Sequence, residues 1–213
     1  MPKGSPELTA ARKEEIMNAC EQLYQTMNFK EITLKKIGEV TSFTRTSIYN
    51  YFQTKEEIFL GLFQREYALW CEALEEILNG NETLTRERLA DRIAETLSDR
   101  ELMLKLLAVN LYDMEENSRM ERLVEFKKAY GRSVELMEQI LARFCPEWDE
   151  GTRHSVVISS LQFFPRTLCL CPSYGKTGKS HGTGRDPAGT DESKGTGAGR
   201  PSQTACIRTY ISI

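Results

Sequence analysis

Thr33-Leu-Lys-Lys-Ile-Gly-Glu-Val-Thr-Ser-Phe-Thr-Arg-Thr-Ser-Ile-Tyr-Asn-Tyr-Phe52, continued by Gln53-Thr54-Lys55-Glu56-Glu57, spells two short helices around a tight turn and the capped start of a third. Leu34, Ile37 and Val40 recur at three-residue intervals and share one helical face, leaving Lys35, Lys36 and Glu39 to water. Thr33 supplies an N-cap for that helix. Thr41 and Ser42 break the pattern, Phe43 is an apolar plug, and Thr44 caps a second helix running from Arg45 to about Tyr51. Two helices joined so closely must cross steeply, as in a helix-turn-helix.

At about 100° per residue, Ile48, Tyr51 and Phe52 fall on one arc of the second helix. Thr46 and Asn50 lie opposite, flanked by Ser47 and Tyr49. The outer arc holds no acidic residue and consists of groups that hydrogen-bond base edges or phosphates. Arg45 in the first turn suits guanine O6 and N7, and Asn50 suits adenine N6 and N7. Thr54-Lys-Glu-Glu57 has the form of a capping box, which sets free backbone N–H groups beside Lys55 as a phosphate site. The residues expected to face duplex DNA are Thr33, Thr44, Arg45, Thr46, Ser47, Tyr49, Asn50, Tyr51 and Lys55. Taken singly, each threonine is as readily a plain cap and each tyrosine a core residue. The ordered combination is what carries the reading.

The same residues give the chain its likeness to a known family. Ile37, Phe43, Thr44, Ser47, Ile48, Tyr49, Tyr51, Phe52, Lys55 and Glu56 follow, without a gap, the order found in TetR-type transcriptional regulators, which this stretch resembles. The likeness extends back through an apolar stripe of Ile16, Ala19, Cys20, Leu23 and Met27, with Phe29 past the helix end, and covers roughly residues 9 to 64. Two positions depart from it. Ser42 stands where the family usually has a turn glycine, at a cost of up to about 1 kcal/mol if φ is positive. Thr46 replaces another frequent glycine and is expected to alter base preference.

From Thr54 to about Phe164 the chain reads as successive amphipathic helices. Ile58, Leu62, Phe63, Trp70, Leu74 and Leu78 mark a long one from Lys55, stopped by Asn79-Gly80-Asn81. A second spans about Thr85 to Leu97, with Leu89 and Ile93 inward. Ser98-Asp-Arg-Glu101 has the form of a capping box opening a helix to about Leu111. Another long helix covers Met120 to Phe144, ended by Cys145-Pro146, and Thr152 begins the next. By resemblance this region is the effector-binding and dimerisation domain, the last two family helices forming the dimer contact. Trp70, Met103, Tyr112, Phe126, Tyr130 and Met137 are candidate pocket residues, since aromatics and methionine suit apolar ligands, although such stripes are more often packing.

Charge is unevenly spread along the chain. Residues 1 to 55 hold eight Lys or Arg against six acidic groups, 56 to 165 thirteen against twenty-two, and 166 to 213 seven against three, within a net −3. A near-neutral head on an acidic body implies few phosphate contacts and a modest salt dependence. The longest apolar run, around Val156 to Phe164, is too short for a membrane span and contains Ser159, Ser160 and Gln162. The polar start Met-Pro-Lys-Gly-Ser-Pro has no signal-peptide form. Six cysteines lack C-x-x-C spacing and the two histidines, His154 and His181, are far apart, so no metal, disulfide framework or cofactor is expected. A cytoplasmic location without membrane contact follows as the expectation.

The tail breaks with everything before it. Residues 166 to 213 contain eight of the fourteen glycines, and the Leu, Glu and Ile pattern stops. That composition suits an irregular, disordered tail that is out of frame with the ancestral gene or otherwise unrelated to the fold. A flexible natural extension is the alternative. Gly175-Lys-Thr-Gly-Lys-Ser180 resembles a P-loop, but Ser173 occupies the place of its first glycine and Gly182-Thr-Gly follows where a helix must start, which disfavours nucleotide binding.

The sequence thus implies an all-α protein: a flexible N-terminus at residues 1–8, a three-helix helix-turn-helix domain at 9–55, a helical bundle at 56–165 and a glycine-rich tail at 166–213. The expected function is a non-enzymatic, ligand-responsive repressor. Its partners are a double-stranded palindromic DNA operator, a small-molecule effector and a second copy of itself. The competing expectation is a truncated regulator that no longer dimerises or binds DNA well.

Overall fold

A computed structural model describes residues 5–80, 83–109 and 111–170, with side chains through residue 162. Its described residues form α-helices and one short 3-10 turn, in agreement with the all-α expectation. The glycine-rich stretch that sequence reading singles out lies, from residue 171 onward, outside the described residues.

Helix α1 (Pro6–Thr26) starts where Ser5 Oγ accepts the Leu8 N–H at 3.3 Å and proline occupies the first turn, where its missing donor costs nothing. Ile16, Met17, Ala19, Cys20 and Tyr24 are buried along one stripe of it. A 3-10 turn (Phe29–Glu31) leads to α2 (Leu34–Glu39), which Thr33 caps by accepting the Lys36 N–H at 3.3 Å. Leu34 and Ile37 are buried, whereas Val40 is 44% exposed. The helix ends one residue earlier than its spacing suggests, so Val40 becomes its C-terminal cap and leaves the inner face.

Helix α3 (Arg45–Ile48) is shorter than the sequence reading to Tyr51. Beyond Ile48 the chain stays coiled but tightens: the Asn50 N–H reaches Ser47 O at 3.2 Å and the Tyr51 N–H reaches Ile48 O at 2.9 Å. Such i to i+3 bonds close the last turn of a helix whose final carbonyls would otherwise lack partners.

Helix α4 (Lys55–Asn79) is the spine of the molecule. Thr54 caps it by accepting the Glu57 N–H at 3.2 Å. The capping box is not reciprocal, however, because the Glu57 carboxylate accepts from Gln53 N at 2.8 Å instead. Ile58, Phe59, Leu62, Phe63, Trp70 and Leu74 are buried along its length, each contributing about 1.5–3 kcal/mol if fully removed from water. Phe59 holds the first part of the chain onto this spine, meeting Tyr24 edge-on at 5.1 Å and Phe29 at 4.7 Å. At Gly61 a Cβ would stand 2.7 Å from Met17 Sδ, so the missing side chain leaves room for that thioether between α1 and α4.

The remaining helices wrap α4: α5 (Arg86–Ser98), α6 (Glu101–Leu107), α7 (Leu111–Glu116), α8 (Met120–Phe144) and α9 (Glu150–Leu170). Helix α8 lies along α4 and has the limits that its sequence spacing implies. Several boundaries differ from expectation. Ser98 does not cap α6; its hydroxyl donates back to Ala94 O at 2.9 Å and prolongs α5. The helix expected to run to Leu111 breaks after Leu107, giving α6 and α7. At the start of α9, Asp149 Oδ1 accepts the Thr152 N–H at 2.7 Å, so the helix begins at Glu150 and not at Thr152. Among the described residues no helix is long and apolar enough to cross a membrane.

Candidate nucleic-acid interface and effector cavity

Helix α3 is anchored from below and bare above. Ile48 is fully buried and Phe52 nearly so, while Thr44, Arg45, Thr46, Tyr49 and Asn50 are exposed and Ser47 is half-buried. Thr44 Oγ1 accepts the Ser47 N–H at 3.2 Å and lies 3.0 Å from Ser47 Oγ, which fixes the start of the helix. The Arg45 guanidinium donates to Tyr49 Oη at 3.0 Å and sits over that ring at 5.7 Å. Arg45 and Tyr49 therefore form one cationic, aromatic unit, and no acidic side chain stands on α3.

The turn before α3 is tied to α1. Both the amide and the hydroxyl of Ser42 donate to Glu15 Oε1, at 2.8 and 2.6 Å. The hydroxyl bond is the largest of the three influences that hold the Glu15 carboxyl below its usual pKa, with the amide second and the Arg12 charge third. A glycine at position 42 would supply only the amide, so the departure from the family pattern has a use here.

Other residues of the expected DNA-facing set are engaged differently. Thr33 is exposed and serves as the cap of α2. Tyr51 is half-buried; its hydroxyl accepts from Arg12 Nη1 at 3.0 Å, and its ring meets Phe43 at 6.1 Å. Lys55 Nζ donates to Phe29 O at 2.7 Å and lies 4.2 Å from the centre of the Phe29 ring. In this state Lys55 fastens the 3-10 turn to α4 instead of standing free beside the helix N-terminus. Arg12 lies 5.8 Å from the Phe43 ring, so it joins α1 to the turn, a contact that sequence spacing did not reveal.

A cluster behind α3 joins it to the body. The Glu57 carboxylate is fully buried and accepts from Arg119 Nε at 2.6 Å, Arg119 Nη2 at 2.8 Å and the Arg119 N–H at 3.1 Å, besides Gln53 N. Burial pushes this carboxyl up, but the bonds from the Arg119 side chain and from the amides of Gln53 and Arg119 outweigh it and hold the pKa below the ordinary value. Tyr51 O accepts from both Arg119 Nη2 and Arg122 Nη2, each at 3.2 Å. The Thr54 hydroxyl donates to Asn117 O at 2.9 Å.

The candidate pocket residues divide. Phe126 and Tyr130 line a cavity of about 290 Å³ together with Phe63, Tyr67, Leu107 and Leu111, between α4, α8 and the α6–α7 junction. Lys127 and Gln162 are polar groups on its wall, and Lys127 Nζ pairs with Glu115 at 2.5 Å. Met137 instead borders a separate, smaller cavity between α5, α8 and α9. Trp70 and Met103 are fully buried and lie outside the larger cavity's wall; Trp70 Nε1 donates to Thr96 Oγ1 at 3.1 Å. Tyr112 is 67% exposed on α7. Sequence periodicity found the α8 aromatics but not Phe63 and Tyr67 as their partners. The signal was the recurrence of aromatics along α4, which is indistinguishable from a core stripe until α8 is laid against it.

The family model for the C-terminal domain of tetracyclin repressor-like proteins matches residues 64–168. The HTH-type transcriptional repressor NemR of Escherichia coli is 27% identical over 86 residues, 40% of this chain and 43% of that protein. Over these stretches the chain is similar to TetR-family regulators. The match spans less than half the length of that curated relative. Solved TetR-type structures share the fold at low identity. The fatty acid degradation regulator FadR of Bacillus halodurans is 16% identical at a TM-score of 0.56, over 79% of this chain and 87% of that one. A TetR-family regulator from Mesorhizobium loti is 15% identical at 0.56, over 96% and 93%. FadR of Thermus thermophilus, solved with lauroyl-CoA, is 16% identical at 0.52, over 81% and 100%.

Proposed function

We propose that this chain is a cytoplasmic, ligand-responsive transcriptional repressor of the TetR family that reads a palindromic duplex operator as a dimer. The observation that carries the reading is the exposed face of α3. Arg45, Thr46, Tyr49 and Asn50 stand clear of the protein on a helix fixed from below by Ile48, with no carboxylate among them. Such a surface has donors for base edges and phosphates and nothing to repel a polyanion. The effector in this reading is a small apolar molecule held by the aromatic cavity of Phe63, Tyr67, Phe126 and Tyr130.

Selection from a random duplex pool tests the DNA reading. A two-half consensus is expected, with Arg45→Ala weakening it by about 1–3 kcal/mol and relaxing preference at one base pair. Equal weakening on all sequences would make Arg45 a phosphate contact, and no enrichment at all would refute the proposal. Size-exclusion chromatography separates the dimer from a regulator that has lost dimerisation. For the effector, lauroyl-CoA, the ligand in the Thermus structure, is the first probe in a thermal-shift assay, its acyl chain being the apolar part that the cavity would take.

A further inference from the structure

The segment that follows the recognition helix has its polar groups engaged by the body. Tyr51 O takes two guanidinium donors, Gln53 N takes the buried Glu57 carboxylate, and the Thr54 hydroxyl donates to Asn117 O. Two of these ties lead to the α7–α8 junction at Asn117–Arg119, and the Gln53 tie reaches it through Glu57. Arg122, one turn further along α8, places its guanidinium 5.2 Å from the centre of the Phe52 ring. Helix α3 ends only three residues before Tyr51, so whatever fixes Tyr51 and Gln53 fixes the direction in which α3 leaves α4.

We propose that Arg119, held by Glu57 and seconded by Arg122, is a positioning residue for DNA recognition: it sets the angle of α3 from the body without touching the duplex. The inference rests on the DNA-binding reading above. Its physical basis is geometric. A planar guanidinium spans two acceptors on different elements, the Glu57 carboxylate of α4 and the Tyr51 carbonyl beyond α3. Nη2 serves the Tyr51 carbonyl and Glu57 Oε2 while Nε holds Glu57 Oε1, and an ammonium has no second nitrogen for that last bond. Burial of Glu57 keeps water from substituting for the arginine.

The position of the clamp also links it to the cavity. Leu111 of α7 and Phe126 and Tyr130 of α8 wall that cavity, and Glu115 of α7 pairs with Lys127 of α8. The two helices that flank Arg119 therefore both carry cavity wall, so a displacement of one against the other reaches Tyr51 through Arg119.

The test uses the full chain and two duplexes: one enriched from the random pool and one of scrambled sequence. Arg119→Ala is expected to weaken the enriched duplex by about tenfold or more while the scrambled duplex changes less than twofold. It is also expected to speed amide exchange at Gln53. Arg119→Lys keeps the charge but gives up the second bond to the Glu57 carboxylate and should fall between, at about threefold. Glu57→Leu combined with Arg119→Met replaces the pair by apolar side chains and avoids an orphaned buried charge; it is expected to fold and still to lose the enriched duplex. A folded variant of either kind that binds the enriched duplex within twofold of the parent overturns the clamp. Equal losses on both duplexes overturn it too, because they assign Arg119 to phosphate binding. A parent chain that enriches no duplex overturns the DNA-binding reading itself, and that outcome is recognisable before any variant is made.

Discussion

Replacing Thr44 by alanine isolates what the cap of α3 contributes to the proposed DNA recognition. Helix α3 has four residues, and the N–H groups of Ser47 and Ile48 both bond to the same Thr44 carbonyl, at 2.9 and 3.1 Å. The Thr44 hydroxyl adds its own acceptor for the Ser47 N–H at 3.2 Å. Losing an N-cap of this kind costs about 1 kcal/mol. In a helix this short the loss is concentrated in the orientation of Arg45 and Thr46 rather than shared along many turns. If α3 must be ordered to bind, 1 kcal/mol corresponds to roughly a fivefold weaker duplex complex. Thr44 is exposed, so the midpoint of thermal unfolding should fall by no more than about 2–4 °C. Fluorescence anisotropy on the enriched duplex measures the first quantity and circular dichroism the second. Thr44→Ser keeps the oxygen and is expected to bind as the parent does. Parent-like binding by Thr44→Ala would refute the reasoning. So would an equal loss in Thr44→Ser, which would assign the effect to the threonine methyl against DNA.

Two other changes probe the frame. Phe59→Ala removes a fully buried ring and its edge contacts with Tyr24 and Phe29; a loss of about 3–5 kcal/mol is expected in urea unfolding, and a loss below 1 kcal/mol would mean that the head is not held by this ring. Glu66 is buried on α4, and desolvation, only partly offset by Arg100 and Arg65, holds its carboxyl above the ordinary pKa. The folded protein then binds this proton more tightly than the unfolded chain, so stability falls as pH rises from the ordinary carboxylate value through the raised one. Glu66→Gln should therefore be more stable than the parent at pH 7, with the difference shrinking toward pH 4; a pH-independent difference would contradict the sign.

Much of this was legible before any coordinates, and the reasons are local. Thr33, Thr44 and Thr54 act as caps because a hydroxyl at a helix start has a fixed partner three residues on. The span of α8 followed from an uninterrupted period ended by Cys145-Pro146. What sequence missed depends on groups distant along the chain. Nothing near Ser42 announces Glu15, nothing near Glu57 announces Arg119, and nothing near Lys55 announces Phe29. Ser98 misled for a different reason: a serine followed by glutamate three residues on fits a helix start, but the same hydroxyl can bond back to a carbonyl four residues earlier and extend the helix before it.

The head and the body share α4 instead of meeting across a linker. The first turns of that helix carry Glu57, Ile58 and Phe59, which close the underside of the head, and its later turns carry Phe63 and Tyr67, which wall the cavity. The head is consequently not a detachable cassette. A fragment ending at residue 55 would leave Tyr24 and Phe29 facing water, and a chimaera built by swapping heads between relatives must splice inside α4, past Phe59, to carry the recognition surface with the floor it stands on.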